Sequence, residues 1–206
     1  MIVRPAGHRD VGHLADVLAA AFADYPWTRW TVDADEHPSR LRALMAIYAG
    51  LTVRYGRAWV VDDAGRVLAA ACWLPPAPPK GLADELAVIG PEIRRLQGAR
   101  AEHAAAAEAL LAPRRPEGPH WSLESVGVLP AAQGRGLGTK VLAPGLALPD
   151  AEGVPARTET SSSANVRLYA RLGFLEHDRV DVPGGPRVWL LRRPAFLQDM
   201  APPAQG

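Results

Sequence analysis

Between Leu123 and Thr139 the chain reads LESVGVLPAAQGRGLGT, an apolar run that gives way to three glycines, a glutamine and an arginine. Glycine lets the backbone turn tightly, so that successive N–H groups point into one concavity. Such a concavity at the start of a helix binds phosphate or diphosphate. Gly134, Gly136 and Gly138 would form the turn, Arg135 places a cation beside it, and Gln133 and Thr139 bracket it. The same glycines also read as a plain strand-to-helix turn, so spacing has to discriminate. A dinucleotide fingerprint needs glycine at its first, third and sixth positions, and counting from Gly134 the sixth is Thr139. A Walker A loop needs Gly-Lys-Ser/Thr, whereas the order here is Gly138-Thr139-Lys140. Both are excluded.

Three further groups could do chemistry. Glu124 precedes the glycine turn on the same apolar run and shares a strand face with Ser122 and Val126. Glu159 lies on a later short run, 157–160, and is its rival as a proton acceptor or ammonium dock. Tyr25, Trp27 and Trp30 follow the first helical segment and would make an aromatic wall, or a packed loop core. The six histidines show no metal spacing, and no His-Glu-x-x-His occurs. Cys72, the single cysteine, sits in an apolar run beside Trp73 and reads as a buried thiol. Ser161, Ser162 and Ser163 lack the Gly-x-Ser-x-Gly elbow and read as a loop before a helix.

What remains of the first motif, Gln133-x-x-Gly136-x-Gly138 after a run ending Val126-x-Val128, resembles the acetyl-CoA diphosphate motif of the GNAT superfamily of N-acetyltransferases. Downstream, Asn165-x-x-x-Tyr169-x-x-x-Gly173-Phe174 is similar to a second segment of that superfamily, in the same order. The resemblance implies a single domain, 1–206, with a central mixed, mostly antiparallel sheet flanked by helices and splayed at the acetyl-CoA site. It implies that the main chain of Val126 and Val128 and the side chain of Asn165 meet the pantetheine arm. It also implies that residues 133–139 hold the diphosphate and that Tyr169 gives the proton to the leaving thiolate. Acetyl-CoA is then the acetyl donor, no metal is needed, and the acceptor is a primary amine. Short stretches outside the motifs are similar to the puromycin N-acetyltransferases within that superfamily, from about residue 22 to 193: the run AAFADYP ending at Pro26, Ile89-Gly90-Pro91, Leu110 to Pro113, Glu159-Thr160-Ser161 and Gly185-Pro186-Arg187. That narrower resemblance implies an aminonucleoside or aminoacyl antibiotic as acceptor, bound near Tyr25, Trp27, Trp30 and Glu159. A protein N-terminus, another metabolite amine, or a CoA-binding domain without turnover remain alternatives.

The acceptor decides how much base catalysis is needed. An α-amine with a reference pKa of about 7.7 is roughly a third neutral near pH 7.4, whereas a lysine amine is only about 0.1% neutral. Glu124, Glu159 or water could take the proton.

The elements that must position these groups follow from periodicity. Ile2 and Val3 start a strand; Val11, Leu14, Val17, Leu18, Ala21 and Phe22 recur at helical spacing behind Asp10, to about Ala23. Residues 27–38 read as irregular, and Leu41 to Leu51 as a second helix. Residues 57–61 and 67–74 form a hairpin around Asp62-Asp63-Ala64-Gly65. Pro75, Pro76, Pro78 and Pro79 forbid regular structure. Leu82 to Leu96 is helical with a break expected at Gly90-Pro91, and an alanine-rich helix continues to Leu111. A strand over 120–128 leads into the glycine turn and a helix over 136–148, which Pro144 should kink or shorten. A strand over 157–160, a helix over 165–172 and a hairpin over 174–191 follow; the tail, about 195–206, has no pattern.

A chain of 206 residues with 48% hydrophobic and 22% charged residues fits one soluble α/β domain. A net charge of +1 gives no reason to expect nucleic acid or an anionic membrane as partner. Arg9 and Asp10 interrupt the first apolar run, so neither a signal peptide nor a membrane span is expected. One cysteine fits the cytoplasm. Monomer and homodimer are equally compatible with the sequence.

Overall fold

The computed structural model describes residues 1–77 and 79–195; Pro78 and the tail from residue 196, for which irregular structure was expected, lie outside the described residues. Seven strands form one sheet in the order β1-β2-β3-β4-β5-β7-β6. These are β1 (Ile2–Pro5), β2 (Arg57–Asp63), β3 (Arg66–Leu74), β4 (Trp121–Val128), β5 (Ala156–Thr160), β6 (Leu175–Asp181) and β7 (Arg187–Arg193). Every neighbouring pair is antiparallel except β4 with β5. The mixed, mostly antiparallel sheet expected from the motifs is therefore present.

The middle strands are apolar on both sides, as a sheet covered by helices on both faces requires. Alternation sorts them. Ala58, Val60, Ala70 and Cys72 pack with Leu14, Leu18, Leu41 and Leu44 of α1 (Val11–Phe22) and α3 (His37–Tyr55). Trp59, Val61, Ala71 and Trp73 pack on the opposite face with Leu137, Val141 and Leu142 of α6 (Leu137–Glu152). Each fully buried leucine contributes roughly 1.5–3 kcal/mol. Small residues set how near the helices come. A Cβ on Gly145 of α6 would lie 2.2 Å from Trp73 Nε1, and one on Gly127 of β4 would lie 2.8 Å from the Ala21 Cβ of α1.

Three expectations need correction. Residues 27–38 are not wholly irregular, because Pro26–Thr31 forms the short helix α2. Pro26 occupies its first turn, where a missing N–H costs nothing, and Thr28 Oγ1 donates to the Tyr25 carbonyl at 3.0 Å. The break at Gly90-Pro91 is absent, since α4 runs unbroken over Leu82–Gln97. Gly90 offers no Cβ to the proline ring, and both ends of the helix are tied to α3: Tyr55 Oη donates to Glu85 (2.6 Å) and Arg40 Nη1 to the Arg95 carbonyl (3.0 Å). The chain turns instead at Gly98, with φ +61°, before α5 (Ala101–Leu111). Nor does Pro144 shorten α6, which passes through Pro144 and Pro149 to Glu152, held by its apolar face on the sheet. The last helix, α7 (Ser163–Arg171), packs beside β5.

Candidate active site

Parallel pairing of β4 with β5 covers only Trp121↔Ala156, Ser122↔Arg157 and Leu123↔Thr158. At the last of these pairs Thr158 Oγ1 donates to the Leu123 carbonyl at 3.0 Å; beyond it the strands part. On its other side β4 stays paired with β3 as far as Val128, but the register slips: Cys72 faces Ser125 and Trp73 faces Leu123. Glu124 is thus the extra residue of a β-bulge, a device that bends a strand and re-aims a side chain. Leu129 N–H donates to the Leu68 carbonyl on β3 at 2.9 Å. Two-residue alternation therefore turns the main-chain groups of Val128 and Val126 the other way, into the fork. Their side chains are half-buried against the core under α6.

Beyond β4 the turn takes the form expected of it. Gly134 and Gly136 have φ of +73° and +72°, in the left-handed region that favours glycine. Gly136 caps α6, and its carbonyl accepts from Lys140 N–H at 3.1 Å. The first-turn amides of Leu137, Gly138 and Thr139 have no acceptor within the helix. Gln133, Gly134, Arg135 and Thr139 are exposed around them. Gln133 Nε2 donates to the Val128 carbonyl at 3.3 Å, tying the turn to the end of β4. Free amides, the helix dipole and Arg135 together suit a diphosphate.

Across the fork stands α7. Tyr169 is buried, with its ring edge-on to Phe174 at 5.6 Å. Burial holds its phenol well above the usual tyrosine range; Tyr25 adds to this and the neighbouring Thr158 hydroxyl opposes it. Asn165, one helical turn earlier, lines the same space. Tyr25 is fastened to the end of β5: its Oη accepts from Ser161 N–H at 2.6 Å and shares a hydrogen bond with Thr160 Oγ1 at 2.7 Å. Trp27 N–H donates to Ser161 Oγ at 3.2 Å.

The fork opens into a cavity of about 600 Å³, which Tyr25, Trp27, Glu124, Val126, Glu159, Asn165 and Tyr169 all line. Trp30 does not join them. Its Nε1 donates to the Gly184 carbonyl at 2.7 Å and its ring packs on His103, Gly185 and the far side of Trp27, in a cluster beneath α5 and the β6–β7 hairpin. The wall opposite the fork comes from α3, α4 and α5, through Tyr48, Leu86, Arg94 and Glu108 among others. Sequence reasoning missed these residues. Their periodicity identified helices, but an apolar stripe facing a cavity reads the same as one facing a core.

The two carboxylates at the fork differ. Glu159 accepts from Arg115 Nε at 2.6 Å and from Arg157 Nη1 at 3.1 Å. Arg115 also grips Glu108, in part through Nη2 to Oε2 at 2.8 Å. Glu124 has no ion-pair partner among the described residues. Its accessible area faces the cavity, and the protein around it pushes its carboxyl above the usual range, against the pull of the Ser122 hydroxyl and Arg157. The same surroundings, with Glu108 and Glu124, raise the Tyr48 phenol. Burial pushes the Cys72 thiol up to about 11, so it is no nucleophile at neutral pH. No group of three or more His, Cys, Asp or Glu among the described residues could hold a metal ion, and no described helix is long and apolar enough to cross a membrane.

A half-open sheet with free helix-start amides at the mouth of its fork fits an acyl-CoA-dependent acyltransferase. Residues 19–174 match the model of the Acetyltransferase (GNAT) family, and the chain belongs to that family. It is an acetyl-CoA-dependent N-acetyltransferase. Among solved structures it is similar to one described as histone acetyltransferase HPA2 and related acetyltransferase from Corynebacterium glutamicum, at 26% identity over 96% of this chain and 97% of that one, with a TM-score of 0.74. The fold is shared with a Drosophila melanogaster polyamine N-acetyltransferase that forms N-acetylagmatine, at 19% identity, 93% and 98% coverage and a TM-score of 0.60. It is shared as well with a Salmonella typhimurium protein solved with acetyl-CoA, at 19% identity, 100% and 99% coverage and a TM-score of 0.54.

Proposed function

We propose that the chain acetylates the primary amine of a puromycin-like aminoacyl or aminonucleoside antibiotic. The observation that carries this reading is the cavity, where a single unpaired carboxylate, Glu124, stands at the fork among aromatic and apolar walls. Phe22, Tyr25, Trp27 and Tyr48 suit an acceptor with an aromatic body, and Glu124 suits its ammonium. The helices closing the far side disfavour a protein N-terminus as acceptor. The single cysteine fits a cytoplasmic setting.

In this reading the main chain of Val126 and Val128 and the Asn165 side chain hold the pantetheine arm, and residues 133–139 hold the diphosphate. Acetyl-CoA supplies the acetyl group when bound. Glu124, its carboxyl raised by its surroundings, acts in its ionised form: it orients the acceptor ammonium and takes its proton directly or through water. An α-amine already roughly a third neutral near pH 7.4 asks little more of it. Glu159, spoken for by two arginines, shapes the wall. Tyr169 holds a proton at its Oη beside the fork, and its raised pKa keeps it protonated across the working pH range. The bound thiolate is then met by a neutral donor.

Thiol release from acetyl-CoA with puromycin, and the mass of the product, test this. N-acetylpuromycin is the expected product. Transfer to other small amines but not to puromycin would overturn the acceptor assignment. A small metabolite amine is the second reading, favoured by the net negative lining of the cavity.

A further inference from the structure

Five charged side chains line the cavity among the described residues: Arg94 and Arg115 against Glu108, Glu124 and Glu159, leaving one net negative charge. Arg115 determines that balance. It follows α5 in the chain, and its guanidinium reaches two elements at once, Glu108 on α5 and Glu159 on β5. Glu159 lies one residue beyond the last β4–β5 pair, so the bridge fastens the helical wall to the strand where the fork begins. Arg157 backs Glu159 from beneath at 3.1 Å. Glu108 has no other ion-pair partner among the described residues. Arg115 is only 26% exposed, so these pairs are partly shielded from water and salt.

We propose that Arg115 is a specificity-determining residue: by pairing with Glu108 and, together with Arg157, with Glu159, it leaves Glu124 as the one unpaired carboxylate to meet an acceptor, so the cavity selects an amine carrying one positive charge over one carrying two. Without Arg115 the lining carries two net negative charges, three carboxylates against Arg94, and only Glu159 keeps an ion-pair partner, Arg157. A second ammonium then finds a partner. This rests on the proposed function only in seating the acceptor in this cavity; it does not require the acceptor to be puromycin.

The test compares two amines of matched length, n-heptylamine and 1,6-diaminohexane. Each is measured as a competitor of whichever amine the wild-type enzyme acetylates, so that neither needs to be turned over. The wild type should bind the monoamine more tightly. Arg115→Met should shift the ratio of inhibition constants toward the diamine by roughly tenfold or more, the scale of one unit charge at an effective dielectric of about 20. Arg115→Lys should stay near the wild type. The double variant Arg115→Met/Glu159→Gln restores the charge balance while the bridge stays cut, and should return toward the wild-type ratio; a purely structural role would leave it with the ratio of Arg115→Met. Glu108→Gln, at a half-exposed position that tolerates change, should move the ratio in the opposite direction from Arg115→Met. A ratio within about twofold of wild type in both Arg115→Met and Glu108→Gln, or no recovery in the double variant, overturns the proposal. Failure of puromycin as a substrate would sink the proposed function and leave this ratio to be read on its own.

Discussion

Thr158 Oγ1 donates to the Leu123 carbonyl at 3.0 Å, at the last pair before β4 and β5 separate. The bond closes the fork at its base, under Tyr169 on one side and Glu124 on the other. It satisfies a buried carbonyl that loses its strand partner where the sheet opens. Replacing Thr158 by Val keeps the shape and removes the donor. Thr158→Val should lower stability by about 1–3 kcal/mol, the cost of leaving a buried acceptor unpaired. Thermal unfolding of the two proteins checks this, and an unchanged midpoint would show that the fork does not need the bond.

The glycine turn separates two effects that are usually mixed. Gly136 has φ +72°, so Gly136→Ala strains the backbone by about 1–2 kcal/mol whether or not a ligand is present. Gly138 is helical, and an added Cβ would meet only Val128 Cγ2 at 3.8 Å, an ordinary contact. Gly138→Ala should therefore leave the unfolding midpoint unchanged and weaken CoA binding through the methyl added beside the amide nest. Calorimetric titration of CoA into each variant, beside its melting curve, tests the distinction. Equal CoA affinity in wild type and Gly138→Ala would place the diphosphate elsewhere.

Glu124 should make its mark on pH dependence. Its carboxyl is raised in the folded chain, chiefly by desolvation among the cavity walls that its accessible area faces. If it acts on the amine as a carboxylate, kcat/KM falls on the acid side at a pH above that of an ordinary glutamate, and Glu124→Gln abolishes that limb. Stability follows the opposite sense. Because the folded state holds this proton more tightly than the unfolded state, stability declines as pH rises through the folded pKa. Glu124→Gln should thus be more stable than wild type at pH 7 and lose that advantage on acidification below the unfolded pKa. A lower melting point for the variant at pH 7 would contradict the desolvation of the charge.

Much of this arrangement is written locally in the chain. The glycine turn is legible because positive φ at Gly134 and Gly136 demands glycine, and Asn165 and Tyr169 because helical spacing sets them on one face. The hairpin at Gly65 and the apolar runs of β3 and β4 are local in the same sense. What the sequence hides is decided by tertiary contacts. Pro91 and Pro144 read as helix breakers, yet α4 is pinned at both ends to α3 and α6 is pressed along the sheet, and packing of that kind outweighs one lost hydrogen bond. Trp30 reads as a second cavity aromatic beside Trp27; it does pack on Trp27, at 5.9 Å between ring centroids, but the Gly184 carbonyl, more than 150 residues on, holds it out of the cavity. Glu159 reads as the equal of Glu124, and only the fold brings Arg115 onto it. The wall of α3, α4 and α5 has no motif of its own.

Tyr169→Phe tests the core of the account most directly, because it removes one oxygen from a buried ring and leaves the fork otherwise intact. The measurement is kcat with a saturating amine, paired with the affinity for acetyl-CoA. Turnover should fall at least tenfold, and by about a hundredfold to ten-thousandfold if Tyr169 is the general acid, while affinity stays within about twofold. Turnover equal to the wild type would remove Tyr169, and with it the proton path across this fork, from the reaction.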